Sequence, residues 1–218
     1  SISESRRMQP THGSTPAAGA SDPQYWEQYY KKSLLRRGDL RREDCYCSAV
    51  ALEPFLRQLS PLPRQFDLCA LVVGCGTSDL PACLANGFAG VPDSASIKDE
   101  PWTLFAVTAV DASLTVVEWM QARKSEALDV EWLHADAARM SQSWTGRFAL
   151  LLDKGVMGTA SGEQVDTEAR AAALLGEYRR VLEPGGWAVV VMPHESPWVQ
   201  SRLAGGGWAE LRAEPVGQ

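Results

Sequence analysis

The feature that most constrains the fold is an alternation of short apolar segments with longer amphipathic ones, which begins at Phe66. Short apolar segments bounded by turn residues are typical of buried strands, and apolar residues three or four apart are typical of helices. The predicted strands are 68–73, 104–110, 130–133, 148–152 and 187–192. Because parallel strands need crossover connections, this alternation predicts an α/β fold with a doubly wound, mostly parallel sheet.

The helical segments and the chain ends complete this prediction. We expect helices over 22–37, 48–59, 78–86, 113–127 and 165–182. Residues 1–22 are rich in Ser, Pro, Gly, Thr and Ala, which predicts a disordered tail, with a transit-peptide remnant as the alternative. Residues 23–218 then form one domain that carries a Gly-, Pro- and Ser-rich surface insertion at about 87–101. After residue 192 there is room for one short helix and at most one strand, Trp208 to Arg212.

Composition narrows the class of partner. The chain has 218 residues and a formal net charge of −6, and this charge argues against general binding to nucleic acid, which needs clustered Lys and Arg. No apolar run approaches the ~20 residues of a membrane span. The five cysteines lack the paired spacings of a zinc site, so we expect no metal. We therefore expect a monomer whose partner is a protein or a small molecule.

The first predicted strand ends in a glycine-rich turn, "VVGCGTSDL", which contains Gly74, Cys75 and Gly76. Such a turn lets a ligand approach the backbone beyond the carboxyl end of the strand. A dinucleotide fingerprint would have glycine where this chain has Asp79, and a carboxylate there would repel a pyrophosphate. A Walker-type phosphate loop is also absent from the sequence. The turn therefore favours a ligand without a pyrophosphate.

Acidic residues follow the second and third predicted strands. Asp111 ends "FAVTAVD", where an acid typically accepts hydrogen bonds from the ribose hydroxyls of an adenosyl group. Its other role, which does not exclude the first, is to cap the following helix. Asp136, in "LHADA", is placed to bind the adenine amino group, and its alternative role is to cap a loop turn. His134 has no second ligand or nucleophile nearby in the sequence, so we expect a structural role for it.

The order of these motifs resembles that of the class I S-adenosylmethionine-dependent methyltransferases, whose fold is Rossmann-like. A narrower resemblance comes from Asp153-Lys154-Gly155 at the end of the fourth strand. This DKG motif is similar to that of the protein-lysine methyltransferases acting on elongation factor 1A, and of the related mitochondrial enzyme acting on citrate synthase. The segments "YWEQYY", "LEPFL", "VGCGTS", "LHADA" and "RRVLEPGG" also resemble this family, and the likeness spans roughly residues 24 to 213.

The resemblance implies S-adenosylmethionine as cofactor, with S-adenosylhomocysteine as product and no metal. Asp153 is then predicted to be the catalytic residue that orients the incoming amine. Lys154 is predicted to face the carboxylate of the methionine moiety, and the aromatic residues of the first helix to face the sulfonium cation. The predicted cofactor contacts are Trp26, Tyr30, Gly74, Cys75, Gly76, Asp111, Ala112, Asp136, Ala137 and Lys154.

The activity implied by the resemblance is methyl transfer to a lysine side chain of a protein, similar to elongation factor 1A or citrate synthase. Two alternatives stay open, namely a small-molecule O- or N-methyltransferase and an inactive subunit that binds the cofactor. We expect a cytoplasmic location, with the mitochondrion as the alternative. The sequence departs from the family in two places. The segment "RRGDLRREDCYC", which contains Tyr46, lacks a clear equivalent of the family's linker aromatic residue, and the chain has at most one strand where a C-terminal antiparallel hairpin is usual.

Overall fold

The computed structural model describes residues 19–42, 44, 46–59, 68–88, 106–123, 130–160, 165–192, 197–205 and 208. A single parallel sheet of five strands lies at its centre, in the order β3-β2-β1-β4-β5. The strands are β1 (Cys69–Val73), β2 (Ala106–Asp111), β3 (Val130–His134), β4 (Phe148–Lys154) and β5 (Leu182–Val191). The predicted doubly wound parallel sheet is therefore confirmed.

Helices cover both faces of this sheet. They are α1 (Pro23–Arg37), α2 (Ala49–Arg57), α3 (Leu80–Ala85), α4 (Leu114–Ala122), α5 (Val156–Ala160), α6 (Val165–Val181) and α7 (Pro197–Gly205). One apolar cluster holds residues of α2, α3 and α4, and a second holds residues of α5, α6 and α7. Neighbouring residues of β1 alternate between these clusters, because successive side chains of a strand point to opposite faces. None of the described helices is long and apolar enough to cross a membrane.

Capping residues explain where the first helices begin. The side chain of Asp22 accepts a hydrogen bond from the backbone N–H of Gln24, and Pro23 stands at the first position of α1. The Ser48 hydroxyl likewise accepts from Ala51 N at the start of α2. Ala20 is buried, and its carbonyl oxygen accepts from Trp26 Nε1 at 2.8 Å, so contacts with the domain begin before residue 23.

Several boundaries differ from the prediction. Strand β4 runs two residues further, to Lys154, and α5 follows it without having been predicted. Strand β5 begins at Leu182 rather than at 187, because the Pro184–Gly186 turn lies within the strand, where the register with β4 shifts and Gly185 has φ +84°. Residues 209–212 of the predicted C-terminal strand and most of the predicted insertion lie outside the described residues, as do residues 1–18 of the predicted tail.

The topology places one crevice at the carboxyl ends of the strands. Strands β2 and β3 lie on one side of β1, and β4 and β5 lie on the other. The switch point is therefore between β1 and β4, where open α/β sheets bind their ligands. The glycine turn follows β1 and the DKG motif ends β4, so both predicted motifs border this crevice.

Candidate functional site

The glycine turn after β1 is shaped by two close approaches. Gly74 and Gly76 have φ values of +62° and +51°, which glycine adopts at little cost. A Cβ atom on Gly74 would lie 2.2 Å from Val156 Cγ2, and one on Gly76 would lie 3.0 Å from Tyr30 Oη. The glycines thus let α5 and α1 come close to the β1 turn. Between them, Cys75 N donates to Val110 O at 3.1 Å, and the buried Cys75 thiol has its pKa raised by burial.

Asp111 ties the glycine turn to the end of β2. Its Oδ2 accepts from Gly76 N at 2.9 Å, and its Oδ1 accepts from Ser113 N at 2.8 Å. The carboxylate is buried, and this burial raises its pKa above the ordinary value despite both hydrogen bonds. Each carboxylate oxygen has two acceptor positions, so the two backbone donors leave capacity for further hydroxyl donors.

Glu27 is a site residue that the sequence analysis missed. From α1 it reaches the start of α4, where Oε2 accepts from Ser113 Oγ at 2.6 Å and from Thr115 N at 3.2 Å. Its Oε1 accepts from Thr115 Oγ1 at 2.9 Å and pairs with Lys31 Nζ at 3.1 Å. Partial burial raises the pKa of Glu27, but the hydrogen bonds outweigh it and lower the pKa to about 2. An ionised carboxylate therefore fastens α1 beside Asp111.

This attachment positions the aromatic face of α1. The Trp26 and Tyr30 rings lie 6.2 Å apart and are tilted by 35°, and the Tyr30 hydroxyl lies next to Gly76. Tyr25 and Tyr29 contact Trp26 edge to face, at 5.3 Å and 5.7 Å. The structure thus brings the predicted aromatic residue Tyr30 to the glycine turn, while the Trp26 indole N–H is bound to Ala20 O.

The loop after β3 holds Asp136, whose carboxylate is half-buried. Its Oδ1 accepts from Arg170 Nη2 at 2.9 Å and from Ala138 N at 3.0 Å. Burial raises the pKa of Asp136, but these contacts outweigh it and hold the pKa below the ordinary value. The predicted contact Ala137 is buried beside it. The partner Arg170 comes from α6 and was not predicted.

The loop after β2 carries Ala112, another predicted cofactor contact. Its carbonyl oxygen accepts from His134 Nε2 at 3.1 Å. This bond links the loop to the end of β3, so His134 has a structural partner in the described structure.

Asp153 is fully buried, and both of its carboxylate oxygens accept hydrogen bonds from the protein. Its Oδ1 accepts from Gly155 N at 3.0 Å and from Val156 N at 2.7 Å. Its Oδ2 accepts from Met157 N at 2.8 Å and from Tyr178 Oη at 2.9 Å. Burial raises the pKa of Asp153 to about 6 against these bonds. The geometry favours a role in holding the start of α5 over the predicted catalytic role, which stays a prediction.

Lys154 points to the linker between α1 and α2. Its side chain is 4% exposed, and its Nζ donates to Asp44 Oδ1 at 2.5 Å and to Cys47 O at 2.9 Å. Asp44 also accepts from the Ser78 hydroxyl near the glycine turn. The predicted contact of Lys154 with the cofactor carboxylate stays a prediction, because two of its three N–H donors already have protein partners.

Comparisons with known proteins agree with this architecture. The chain is 29% identical over 175 residues to the eEF1A lysine and N-terminal methyltransferase of Danio rerio, which covers 78% of this chain. The predicted resemblance is confirmed. The chain spans about a fifth of that relative's length, 21%. No protein-family model matches the chain.

Solved structures support the fold alone. One, from work on the conversion of a disulfide bond into a thioacetal group during echinomycin biosynthesis, is 20% identical. The superposition covers 76% of this chain and 59% of the other chain, with a TM-score of 0.51. The magnesium protoporphyrin IX methyltransferase of Synechocystis PCC 6803, solved with bound SAH, is 15% identical, with coverage of 74% and 68% and a TM-score of 0.48. The Rossmann-like fold class predicted from the sequence is confirmed.

Proposed function

We propose that the chain is an S-adenosylmethionine-dependent methyltransferase that modifies a lysine side chain of a protein. The observation that carries the proposal is the pairing of Asp111 with the Gly76 N–H at the carboxyl ends of β1 and β2, where the Tyr30 hydroxyl lies next to Gly76. This arrangement offers a carboxylate for ribose hydroxyls beside a turn with positive φ. The relative named for eEF1A lysine methylation supports the choice of substrate class.

The residues present fit the cofactor. Asp111 has acceptor capacity for two hydroxyl groups, and Asp136, 37% exposed, has capacity for an amino group. The Trp26 and Tyr30 rings offer aromatic faces, which attract a cation within about 6 Å. Within the described residues no cluster of three or more His, Cys, Asp or Glu side chains is arranged to hold a metal ion. We therefore assign the crevice to S-adenosylmethionine.

The chain's own contribution to the reaction is alignment. S-adenosylmethionine supplies a methyl group on sulfur, and its transfer to a neutral amine forms an N–C bond as the S–C bond breaks. Holding two reactants in line is worth about 7 to 11 kcal/mol in favourable cases. The rigid strand ends carrying Gly76, Asp111 and Asp153 suit this task, because their backbone is fixed by the sheet and by the bonds described above.

Calorimetry and methyl transfer test the proposal in two steps. We expect S-adenosylmethionine to bind the wild-type chain, and Asp111→Ala to weaken binding at least tenfold. Radiolabelled methyl transfer to purified elongation factor 1A, followed by peptide mapping, should label a lysine. Label at an α-amino group would contradict the lysine assignment, and label only in small molecules would favour the alternative substrate class. Cofactor binding without any transfer would favour a cofactor-binding subunit.

We also propose a monomeric protein in the cytoplasm. The location rests on the resemblance to elongation-factor enzymes, and the resemblance to the citrate synthase enzyme keeps the mitochondrion as the alternative. Light scattering of the purified chain and imaging of a tagged full-length product test them. A dimer mass, or a mitochondrial signal, would contradict the respective part.

A further inference from the structure

The topology divides the crevice into two halves. Asp111 and Asp136 follow β2 and β3, which lie on one side of β1, and these two acids are the groups suited to the adenosyl moiety. The DKG motif ends β4 on the other side. If the proposed function holds, the acceptor amine must approach from this second half, because the first is taken by the cofactor.

An aromatic ring stands at each half of the crevice. A Cβ atom on Gly76 would lie 3.0 Å from Tyr30 Oη, and one on Gly155 would lie 3.2 Å from Tyr46 Cε2. Gly155 has φ +128°, where side chains are rarely found. The glycine of the DKG motif therefore makes room for the Tyr46 ring, as Gly76 does for Tyr30.

The position of Tyr46 is held from both sides. Its backbone has φ +68°, a left-handed conformation that is unfavourable for a bulky residue and persists only where neighbouring contacts enforce it. Lys154 supplies those contacts, since its Nζ binds the Asp44 carboxylate and the Cys47 carbonyl on either side of Tyr46. The DKG lysine and glycine thus both act on one linker residue.

We propose that Tyr46 forms the wall of the acceptor site and determines its specificity for an alkylammonium side chain. The ring gives the acceptor an aromatic surface, and such a surface attracts the cation of an alkylammonium side chain. Lys154 acts through Tyr46 as a positioning residue. This inference rests on the proposed function.

Two substitutions at Tyr46 test the proposal with elongation factor 1A as substrate. Tyr46→Asn removes the ring, yet asparagine tolerates a left-handed backbone, so the fold should be kept. Tyr46→Phe retains the ring. We expect Tyr46→Asn to raise KM for the protein about tenfold while the cofactor Kd from calorimetry stays within twofold. Tyr46→Phe should stay within threefold of wild type in both values.

The outcomes separate this inference from the proposed function. An unchanged KM in Tyr46→Asn, with normal cofactor binding, would overturn the inference alone. A rise in cofactor Kd as large as the rise in KM would also overturn it, because Tyr46 would then be a cofactor contact. Failure of the wild-type chain to bind S-adenosylmethionine would contradict the proposed function and this inference together. Circular dichroism of both variants shows whether each is folded.

Discussion

Replacing Glu27 with Gln tests whether an ionised carboxylate fastens α1 to the cofactor side of the sheet. The pKa of Glu27 falls from an ordinary value of 4.5 to about 2, which corresponds to about 3 kcal/mol at neutral pH. The side chain is 23% exposed, so solvent screening reduces this figure, and we expect a loss of about 2 kcal/mol in Glu27→Gln. Glutamine keeps one acceptor oxygen and turns an NH2 group toward the Ser113 and Thr115 donors.

The pH dependence has a definite sign. Because the folded pKa lies below the unfolded one, the contribution of Glu27 is complete above about pH 4.5 and is lost as the pH falls toward 2. Urea unfolding of wild type and Glu27→Gln should therefore differ by about 2 kcal/mol at pH 7 and by less than half of that at pH 3. The exposed Glu118→Gln on α4 is the matched control, with an expected change within about 0.5 kcal/mol.

Cofactor binding should weaken together with stability in Glu27→Gln. α1 carries Trp26 and Tyr30, so loosening its attachment should raise the cofactor Kd several-fold in calorimetry. The reasoning would be refuted if Glu27→Gln matched wild type at pH 7, or if the difference did not shrink between pH 5 and pH 3. Either result would mean that the contacts with α4 contribute no net free energy through the charge.

Three further substitutions test other parts of the site. Gly74→Ala should lower the free energy of unfolding in urea by about 3 kcal/mol, because its Cβ would lie 2.2 Å from Val156 Cγ2. Gly38→Ala is the control: Gly38 has φ +71° but open space around it, and its loss should be about 1 kcal/mol. Equal losses in the two variants would contradict the clash. Lys154→Met should lower the unfolding free energy by about 3 kcal/mol by leaving a linker carboxylate unpaired, and an unchanged midpoint would argue against anchoring. Asp153→Asn should lower the free energy of unfolding by about 2 kcal/mol, because a backbone N–H loses its acceptor, but it should keep kcat within tenfold. A hundredfold loss of kcat in folded protein with a normal cofactor Kd would support the catalytic role instead.

The sequence identified the residues at strand ends because these depend on local patterns. An apolar run that stops at Gly74 or Asp111 marks the carboxyl end of a strand without any knowledge of the partner strands. The turn after β1 and the end of β2 do meet, through Gly76 N and Asp111 Oδ2, although 35 positions separate the bonded pair. Parallel topology makes this meeting predictable, since all strand ends lie at one edge of the sheet.

The partners that the sequence did not reveal come from distant elements. Glu27 binds Thr115 across 88 positions, and Lys154 binds Asp44 across 110. A carboxylate on a helix surface reads as a solvated charge in the sequence, and only the packing of α1 beside α4 brings donors to it. Tyr178 was missed for the same reason. In the sequence it resembles an ordinary core residue of a helix, although its hydroxyl donates to the buried Asp153 carboxylate.

The DKG motif is best explained by one residue that holds the helices after β4 and two residues that meet the linker. Asp153 turns inward and holds α5 and α6 through Met157 and Tyr178. Lys154 turns to the linker, and Gly155 leaves space for the linker's ring. Because the three positions make different contacts, no single substitution is compensated by the other two. The motif therefore fixes the position of the α1–α2 linker relative to the sheet. Even a conservative change of Lys154 to arginine should displace the linker, because a guanidinium cannot replace a compact ammonium that is buried between two acceptors.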